Sequence, residues 1–479
     1  MNEKILENFL SLCAIPRKSH HEERVSRFLY DWAVSRGLAA VRDTEGNVII
    51  DKPGVPGAEN APTVILQAHM DMVCVAEDGR EYDPLADPIR PILEGNTLTA
   101  DGTSLGGDDG AGVALAMTIL EDGTAVHGPL RAIFTVDEED GMSGANAMDS
   151  KYLQGDYLIN LDWEEFGSLC CSSAGSDMYS FSHPADWESA QGMTFYALTV
   201  QGLEGGHSGA QIHLGRANAI RMAANILSRA MGNRFADCRL CAFRGGSAHN
   251  AIPASASAVV AVPADFAGDF LAAAAQEIDS QLEACALTDP GAVVTVVETG
   301  AADKMLGAVA TRDILGMLTA VHDGVNTWSA SIPGLVESSA NTGLAALEED
   351  RFAFLIHQRS SEPALTAEMK KVFAKQAEEH GFAMTQLSSG APWPVKRGSA
   401  LLELCQKHFR QLFGRDIRVE PVHAGLECGA WASKNPGLDI ISIGPTIADI
   451  HSPRETLYLD TVYDCDALVR SILRELAGK

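Results

Sequence analysis

The chain has 479 residues, with 64 acidic and 36 basic side chains and a formal net charge of −28. Such a surface repels phosphate backbones and anionic lipid, so nucleic acid and membrane partners are not expected. With 46% hydrophobic and 21% charged residues there is ample apolar material for a core, as in ordinary globular chains, and the length suggests roughly two to four domains.

Residues 3–36 read as amphipathic helices broken by "AIPRKSHHEE". In that break Ser19 is placed as a helix N-cap, with Glu22 three residues on as its capping-box partner. Acidic residues in the first turns and the lack of a long apolar run argue against a secretory signal, and no window reaches the ~18 apolar residues of a membrane span. The ten cysteines are scattered, which suits reduced thiols in the cytoplasm. Cys238 and Cys241 form a lone C-x-x-C that reads as structural.

Further along, "NVIIDKP" and "TVILQAHMDMV" read as strands, β-branched and bounded by turn residues. "DGTSLGGDDGAGVALAMTILED" is a glycine-rich loop opening a helix from about Gly110. "PLRAIFTVDEEDG", "DYLINLDWEE" and, near the C-terminus, "LDIISIGPTIADIHSP" are apolar strands running into acids or a histidine. Between about 184 and 384 the pattern turns to alternating strands of antiparallel type ("MTFYALTVQGLEGGHSG", "CRLCAFRGGSAHNAIPASASAVVAVPA", "RFAFLIHQRSSEP") and helices with apolar i, i+3, i+4 spacing ("RANAIRMAANILSRAM", "DFLAAAAQEIDSQLEACA"). The expected architecture is an α/β domain, 1–183 plus 385–479, with a largely parallel or mixed sheet flanked by helices. An α+β domain, 184–384, is inserted into it.

Four apolar strands thus deliver chemistry past their C-terminal ends: His69 and Asp71, Glu138 and Glu139, Asp162, and His451. Asp108 joins them from the glycine-rich loop. Ligands of open parallel sheets bind outside those strand ends. An H-x-D pair alone is usually a satisfied polar pair near a turn, and "DEED" alone a solvated loop. Together, two imidazoles and three carboxylates form a nitrogen and oxygen donor set that suits zinc, manganese or cobalt rather than calcium. Three carboxylates and one hydroxide would balance two divalent ions. Asp71, two residues from His69 on an extended strand, lies on the same side and can fix the imidazole's tautomer. Of the adjacent Glu138 and Glu139, one serves as ligand and the other as proton shuttle; the spacing does not say which.

"HMDMV", "DGTSLGGDDGAG", "DEEDGMSGA", "LINLDWEE", "GLEGGHSGAQIH", "GGSAHNAIP", "VHAGLECG" and "SIGPTIADIHSP" together resemble the M20 family of metallopeptidases, in its aminoacyl-histidine (Xaa-His) dipeptidase branch, over essentially the whole chain. The resemblance implies a zinc-peptidase-like catalytic domain with two Zn²⁺ per subunit (Co²⁺ or Mn²⁺ as substitutes) and an inserted lid domain, which can also form a homodimer. It makes Asp108 the bridging ligand, with His69 and Asp162 completing one site and Glu139 and His451 the other. Glu138 becomes the general base and Asp71 the partner of His69. A cis peptide after the bridging aspartate is also implied. Two departures are Asp109, where asparagine is common, and Trp163, where smaller or polar residues are.

The implied activity is metal-dependent hydrolysis of dipeptides such as β-alanyl-histidine in the cytoplasm. The alternatives are another M20-type tripeptidase, carboxypeptidase or N-acyl amino acid deacylase, and a non-catalytic peptide or zinc binder, which would lack a ligand or the base. His207 of "GGHSG" is expected at the oxyanion. Arg359 of "HQRSS", helped by Asn250, is expected at the free carboxylate, a group that a guanidinium grips with two hydrogen bonds. Glu427 reads either as a contact for the substrate's free amine or as a structural acid. Gly444 and Thr446 resemble a substrate-lining turn.

Overall fold

The computed structural model describes residues 2–478 apart from 235, 331 and 333. It divides into two compact units. One holds the chain up to 173, 393–421 and everything from 426 on; the other holds 174–392 and 422–425.

The first unit is built on an eight-stranded mixed sheet in the order 39–42, 48–52, 130–135, 64–69, 157–160, 439–442, 168–173, 418–422. The four strands singled out in the sequence are contiguous and parallel, and antiparallel strands flank them. Parallel strands are covered on both faces and therefore read as continuous apolar runs; Val64–His69 is buried at every residue. The helix Gly107–Glu121 is apolar nearly all round and buried over almost its whole length, as a helix within a core must be. Its regular part starts after Asp108 and Asp109, whose backbone is non-helical, and the Asp108–Asp109 peptide is cis. Asn2–Cys13, Ala400–Phe413 and Leu459–Leu476 add apolar faces to the same core.

The helix Glu23–Ser35 starts without the expected capping box. No side chain caps it at Glu22. The Ser19 hydroxyl donates instead to Asp71 Oδ2 at 2.8 Å, and Glu22 Oε1 accepts the backbone N–H groups of His20 and Asp137. Local grammar gives way here to tertiary contacts.

The second unit is a nine-stranded antiparallel sheet, in the order 293–299, 193–201, 256–263, 239–245, 336–347, 351–360, 175–184, 383–390, with 324–328 added to 336–347. Helices Ala219–Met231, Ala267–Cys285, Ala308–Ala320 and Pro363–Glu379 contribute to its own core. The boundaries expected at 183/184 and 384/385 shift outward, because strands 175–184 and 383–390 pair with each other inside this sheet. Residues 422–425 also belong here: Ala174 N–H donates to Val422 O, and His423 Nε2 lies 2.7 Å from Ser339 Oγ. Among the described residues no helix is long and apolar enough to cross a membrane. Cys238 and Cys241 are free thiols, not joined in a disulfide.

Candidate metal centre

The four parallel strands end in a buried polar row before they deliver the site. Thr135, Gln67, Asn160 and Ser442 are each fully buried. Asn160 Nδ2 donates to Gln67 Oε1 at 2.6 Å, and Gln67 Nε2 donates to Glu427 Oε2 at 2.5 Å. Thr135 Oγ1 donates to the same carboxylate oxygen at 2.9 Å, Trp431 Nε1 to Gln67 Oε1 at 3.2 Å, and Ser442 Oγ to Asn160 Oδ1. Such a network fixes the strand ends relative to one another. Glu427 is thus tied into the network through Oε2 and is closed off from solvent, while its Oε1 has no partner. Burial pushes its pKa up to about 7.

Beyond this row, two triads of donors share one residue. His69, Asp108 and Asp162 form the first, and Asp108, Glu139 and His451 the second, with the donor atoms of each triad within 4.8 Å of one another. His69 Nε2 lies 2.9 Å from Asp108 Oδ1 and 3.4 Å from Asp162 Oδ1. His451 Nε2 lies 3.2 Å from Asp108 Oδ2 and 3.0 Å from Glu139 Oε2. Asp108 thus turns one oxygen to each histidine. A tetrahedral shell with bonds of about 2.1 Å has edges of roughly 3.4 Å, so both triads fit divalent cations of the zinc type. Their nitrogen and oxygen donors match that class.

The electrostatics point the same way. Burial opposes ionisation of Asp108, but His451 and His69 outweigh it and hold the carboxyl below its usual range. Hydrogen bonding to Asp108 and then Glu139 lifts His451 to about 11. Burial drives Asp162 and Glu138 well above the ordinary carboxyl range, and Glu164 up to about 7. So many acids in one buried place call for added positive charge.

Asp71 is the hub beneath both triads. Its Oδ1 lies 3.3 Å from His69 Nδ1 and accepts Glu138 N–H at 3.1 Å; its Oδ2 accepts Ser19 Oγ–H at 2.8 Å and Glu139 N–H at 3.3 Å. One carboxylate therefore turns the His69 Nε2 toward the first triad and pins the Glu138–Glu139 backbone. Glu139 joins a triad and Glu138 does not, an asymmetry the sequence spacing left open.

Sequence reasoning missed the groups that hold the glycine-rich loop. Glu455 accepts the consecutive N–H groups of Leu105, Gly106, Gly107 and Asp108 through its two oxygens. A run of inward N–H groups signals that an anion must fill the turn, but not which one. Arg17, also missed, donates to three backbone carbonyls around the loop. Gly444 is glycine because a Cβ would collide with the Trp163 carbonyl. The Thr446 hydroxyl accepts Phe166 N–H, and Trp163 Nε1 donates to Ser168 Oγ at 2.7 Å. Asp109, the other departure, is buried, and its Oδ1 accepts Gly112 N–H at 3.1 Å.

The remaining expected residues lie in the second unit. The ribbon 206–207/251–252 sets His207 opposite Ala251, next to Asn250, whose carbonyl accepts Ser208 N–H at 2.8 Å. His207 Nδ1 accepts the N–H groups of Gly209 and Ala210, which leaves the proton on Nε2. Arg359 is buried and its Nε has no partner. Burial lowers it to about 10. Burial and then the neighbouring Arg359 bring His357 and His423 down to about 3, and lower His207 too. One guanidinium therefore stands among neutral imidazoles. A Cβ at position 209 would sit 3.0 Å from His207 Cε1 and 3.1 Å from Arg359 Nε, so glycine lets the two approach.

Residues 65–475 match the sequence profile of "Peptidase family M20/M25/M40". The chain belongs to this family. The M20 chain is 34% identical to the cytosol non-specific dipeptidase of Escherichia coli (strain K12) over 477 residues, 98% of this chain and 97% of the relative. Its structure is similar to that of the aminoacylhistidine dipeptidase from Vibrio alginolyticus, with a TM-score of 0.90 at 32% identity over 98% and 96% of the two chains. A tripeptidase from Staphylococcus aureus shares the fold, with a TM-score of 0.57 at 17% identity over 100% and 99% of the two chains. This M20 protein is a peptide hydrolase.

Proposed function

We propose that this M20 peptidase is a cytoplasmic di-zinc dipeptidase whose substrates, Xaa-His peptides such as β-alanyl-histidine among them, carry a free C-terminal carboxylate. The observation that carries the proposal is Asp108, which turns its two oxygens to two separate triads, beside a half-buried glutamate, Glu138, that joins neither. The dipeptidase names of the relatives in Escherichia coli and Vibrio alginolyticus support the substrate length.

His69, Asp108 and Asp162 would hold one cation and Asp108, Glu139 and His451 the other; bound there, the pair would supply Lewis acidity to the scissile carbonyl and to the attacking water. Glu138 takes the proton of that water. It later gives the proton to the departing amine, so one carboxyl acts as base and then as acid. Asp71 keeps His69 in one tautomer and holds the Glu138 backbone still. His207, with its proton on Nε2, is assigned as a donor to the oxyanion. Arg359 is assigned to the terminal carboxylate, since a desolvated guanidinium without a partner binds an anion best, with Asn250 beside it.

The test is a substrate panel of β-alanyl-histidine, other dipeptides, tripeptides and acetylated amino acids. It is run on metal-reconstituted protein and on the same protein treated with a chelator. Hydrolysis confined to dipeptides and abolished by the chelator is expected. Equal hydrolysis with and without cations would sink the reading. The Escherichia coli relative is named non-specific, so the panel also measures how far the Xaa-His class is preferred.

A further inference from the structure

Residues 17–22, Arg-Lys-Ser-His-His-Glu, join the first two helices. No step proposed above uses them. Their polar groups nevertheless reach three loops that carry metal-centre residues. Arg17, 2% exposed, donates through Nη1 to the carbonyls of Met70 and Asp71 at 3.1 and 2.9 Å, and through Nη2 to Gly106 at 2.5 Å. One guanidinium so ties the turn after His69 to the loop before Asp108. Ser19 reaches Asp71. Glu22 Oε1 accepts the Asp137 N–H at 3.0 Å and the His20 N–H at 2.9 Å. The His20 ring completes the set. Its Nδ1 lies 3.4 Å from Asp137 Oδ1 and its Nε2 3.0 Å from Asp140 Oδ2. The imidazole therefore spans the two acids that flank Glu138 and Glu139.

The backbone adds an independent sign. His20 holds a left-handed φ of 66°. Among the described residues, the other non-glycine residues with positive φ are Asp137, Met142, Asp449 and His451, all in the loops that carry Glu138, Glu139 and His451. Such conformations persist only where the surroundings fix them.

We infer that residues 17–22 are a strap that sets the spacing of the two triads, and that within it His20 is a positioning residue for Glu138 and Glu139. The pair is gripped from two directions. Asp71 holds its backbone N–H groups, and His20 bridges the side chains at its two ends. Without the ring, Asp140 loses a hydrogen bond and Asp137 its close ionic neighbour, and a run of four acids has less to keep Glu139 turned toward His451.

The inference rests on the two-cation reading, and the experiment separates the two. The variants are His20→Ala and His20→Asn; asparagine tolerates left-handed backbone and keeps one donor. The His20 side chain is 57% exposed, so its truncation opens no cavity and leaves the fold intact. Metal-free wild type and variants are titrated with Co²⁺, followed by calorimetry and by the visible absorption of the bound ion, and kcat and KM are measured on one dipeptide. In His20→Ala the second Co²⁺ is expected to bind up to about 10-fold more weakly, the lower end of the loss for an outer partner of a ligand, because His20 contacts the acids flanking the ligand and not the ligand itself. Its absorption band should change, the first Co²⁺ should be unaffected, and kcat should fall with KM held. His20→Asn should recover part of each loss. Wild-type affinities, spectrum and kcat in His20→Ala would overturn the strap, as would an equal weakening of both ions alongside a lowered melting temperature. Failure of the wild type itself to bind a second Co²⁺ would overturn the metal centre and the strap with it.

Discussion

Replacing Asp71 with asparagine keeps the shape of the side chain and turns one acceptor oxygen into a donor. Four donors converge on the native carboxylate: His69 Nδ1 at 3.3 Å and Glu138 N–H at 3.1 Å on Oδ1, Ser19 Oγ–H at 2.8 Å and Glu139 N–H at 3.3 Å on Oδ2. However the amide is turned, its NH₂ faces a backbone N–H that cannot reverse its polarity. The better orientation directs NH₂ to Ser19, whose hydroxyl can rotate to accept, and leaves Glu139 N–H unpaired. A buried donor without a partner costs about 1–3 kcal/mol, equivalent to about 5- to 150-fold in an equilibrium constant. The cost falls on the backbone of Glu139, so the second cation should bind more weakly and kcat should drop by a similar factor. Ser19→Ala is the control: it removes a donor and leaves the remaining three paired, so its effect should stay below about 1 kcal/mol. Cation titration and steady-state kinetics on both variants are the assay. An Asp71→Asn protein that binds two cations and turns over like the wild type, or a Ser19→Ala protein impaired as badly, would refute the hub.

Three further outcomes are expected. Glu138→Gln should retain both cations, read by elemental analysis, and lose about 10²- to 10⁴-fold in kcat, the usual worth of a positioned acid–base group; normal turnover would remove Glu138 from the proton path. Asp108→Ala should lose cations from both triads at once, and a protein that still carries two per chain would disprove the shared ligand. Arg359→Ala should raise KM for dipeptides by about 10- to 150-fold, from charge-assisted bonds worth about 1.5–3 kcal/mol, while hydrolysis of C-terminally amidated analogues stays as it was. An equal effect on acid and amide would detach Arg359 from the carboxylate.

How much of this was legible in the sequence depended on what each residue answers to. The parallel strands at 64–69, 130–135, 157–160 and 439–442 were legible because burial on both faces makes them mostly apolar. His69, Asp162 and the Glu138–Glu139 pair stood out for the same reason: a charge at the end of such a run needs a partner. The central strand 336–347 was not legible. Its "ESSANTG" core looks like loop, yet it pairs along most of its length with 351–360, and Ser338, Ser339, Asn341 and Thr342 are all buried. Their polar groups are bonded to Asn326, His423, the Ala251 carbonyl and Asp323, contacts that no periodicity encodes. Glu427 shows the same limit at one position: an acid in "GLECG" suits a substrate amine or a buried network, and no spacing in the sequence announces its partners Gln67 and Thr135.

The segment 17–22 carries that argument to its end. Ser19 and Glu22 have the spacing of a capping box, and by local rules they should cap the helix that follows. They do not, because the groups beneath the metal centre compete for the same side chains. A capping bond is worth about 1 kcal/mol, and a helix start near the surface can turn to water instead. The Asp137 N–H is buried and has no such recourse, and leaving it unpaired costs up to about 3 kcal/mol, while Asp71 adds the Ser19 hydroxyl to the backbone N–H groups it already holds. The deeper groups win the shared side chains, and the helix goes uncapped. A local rule broken next to a cluster of acids therefore points to the site that broke it, as mismatches between local propensity and structure tend to do. Here it singles out Ser19 and Glu22, residues that no metal-ligand pattern would have selected.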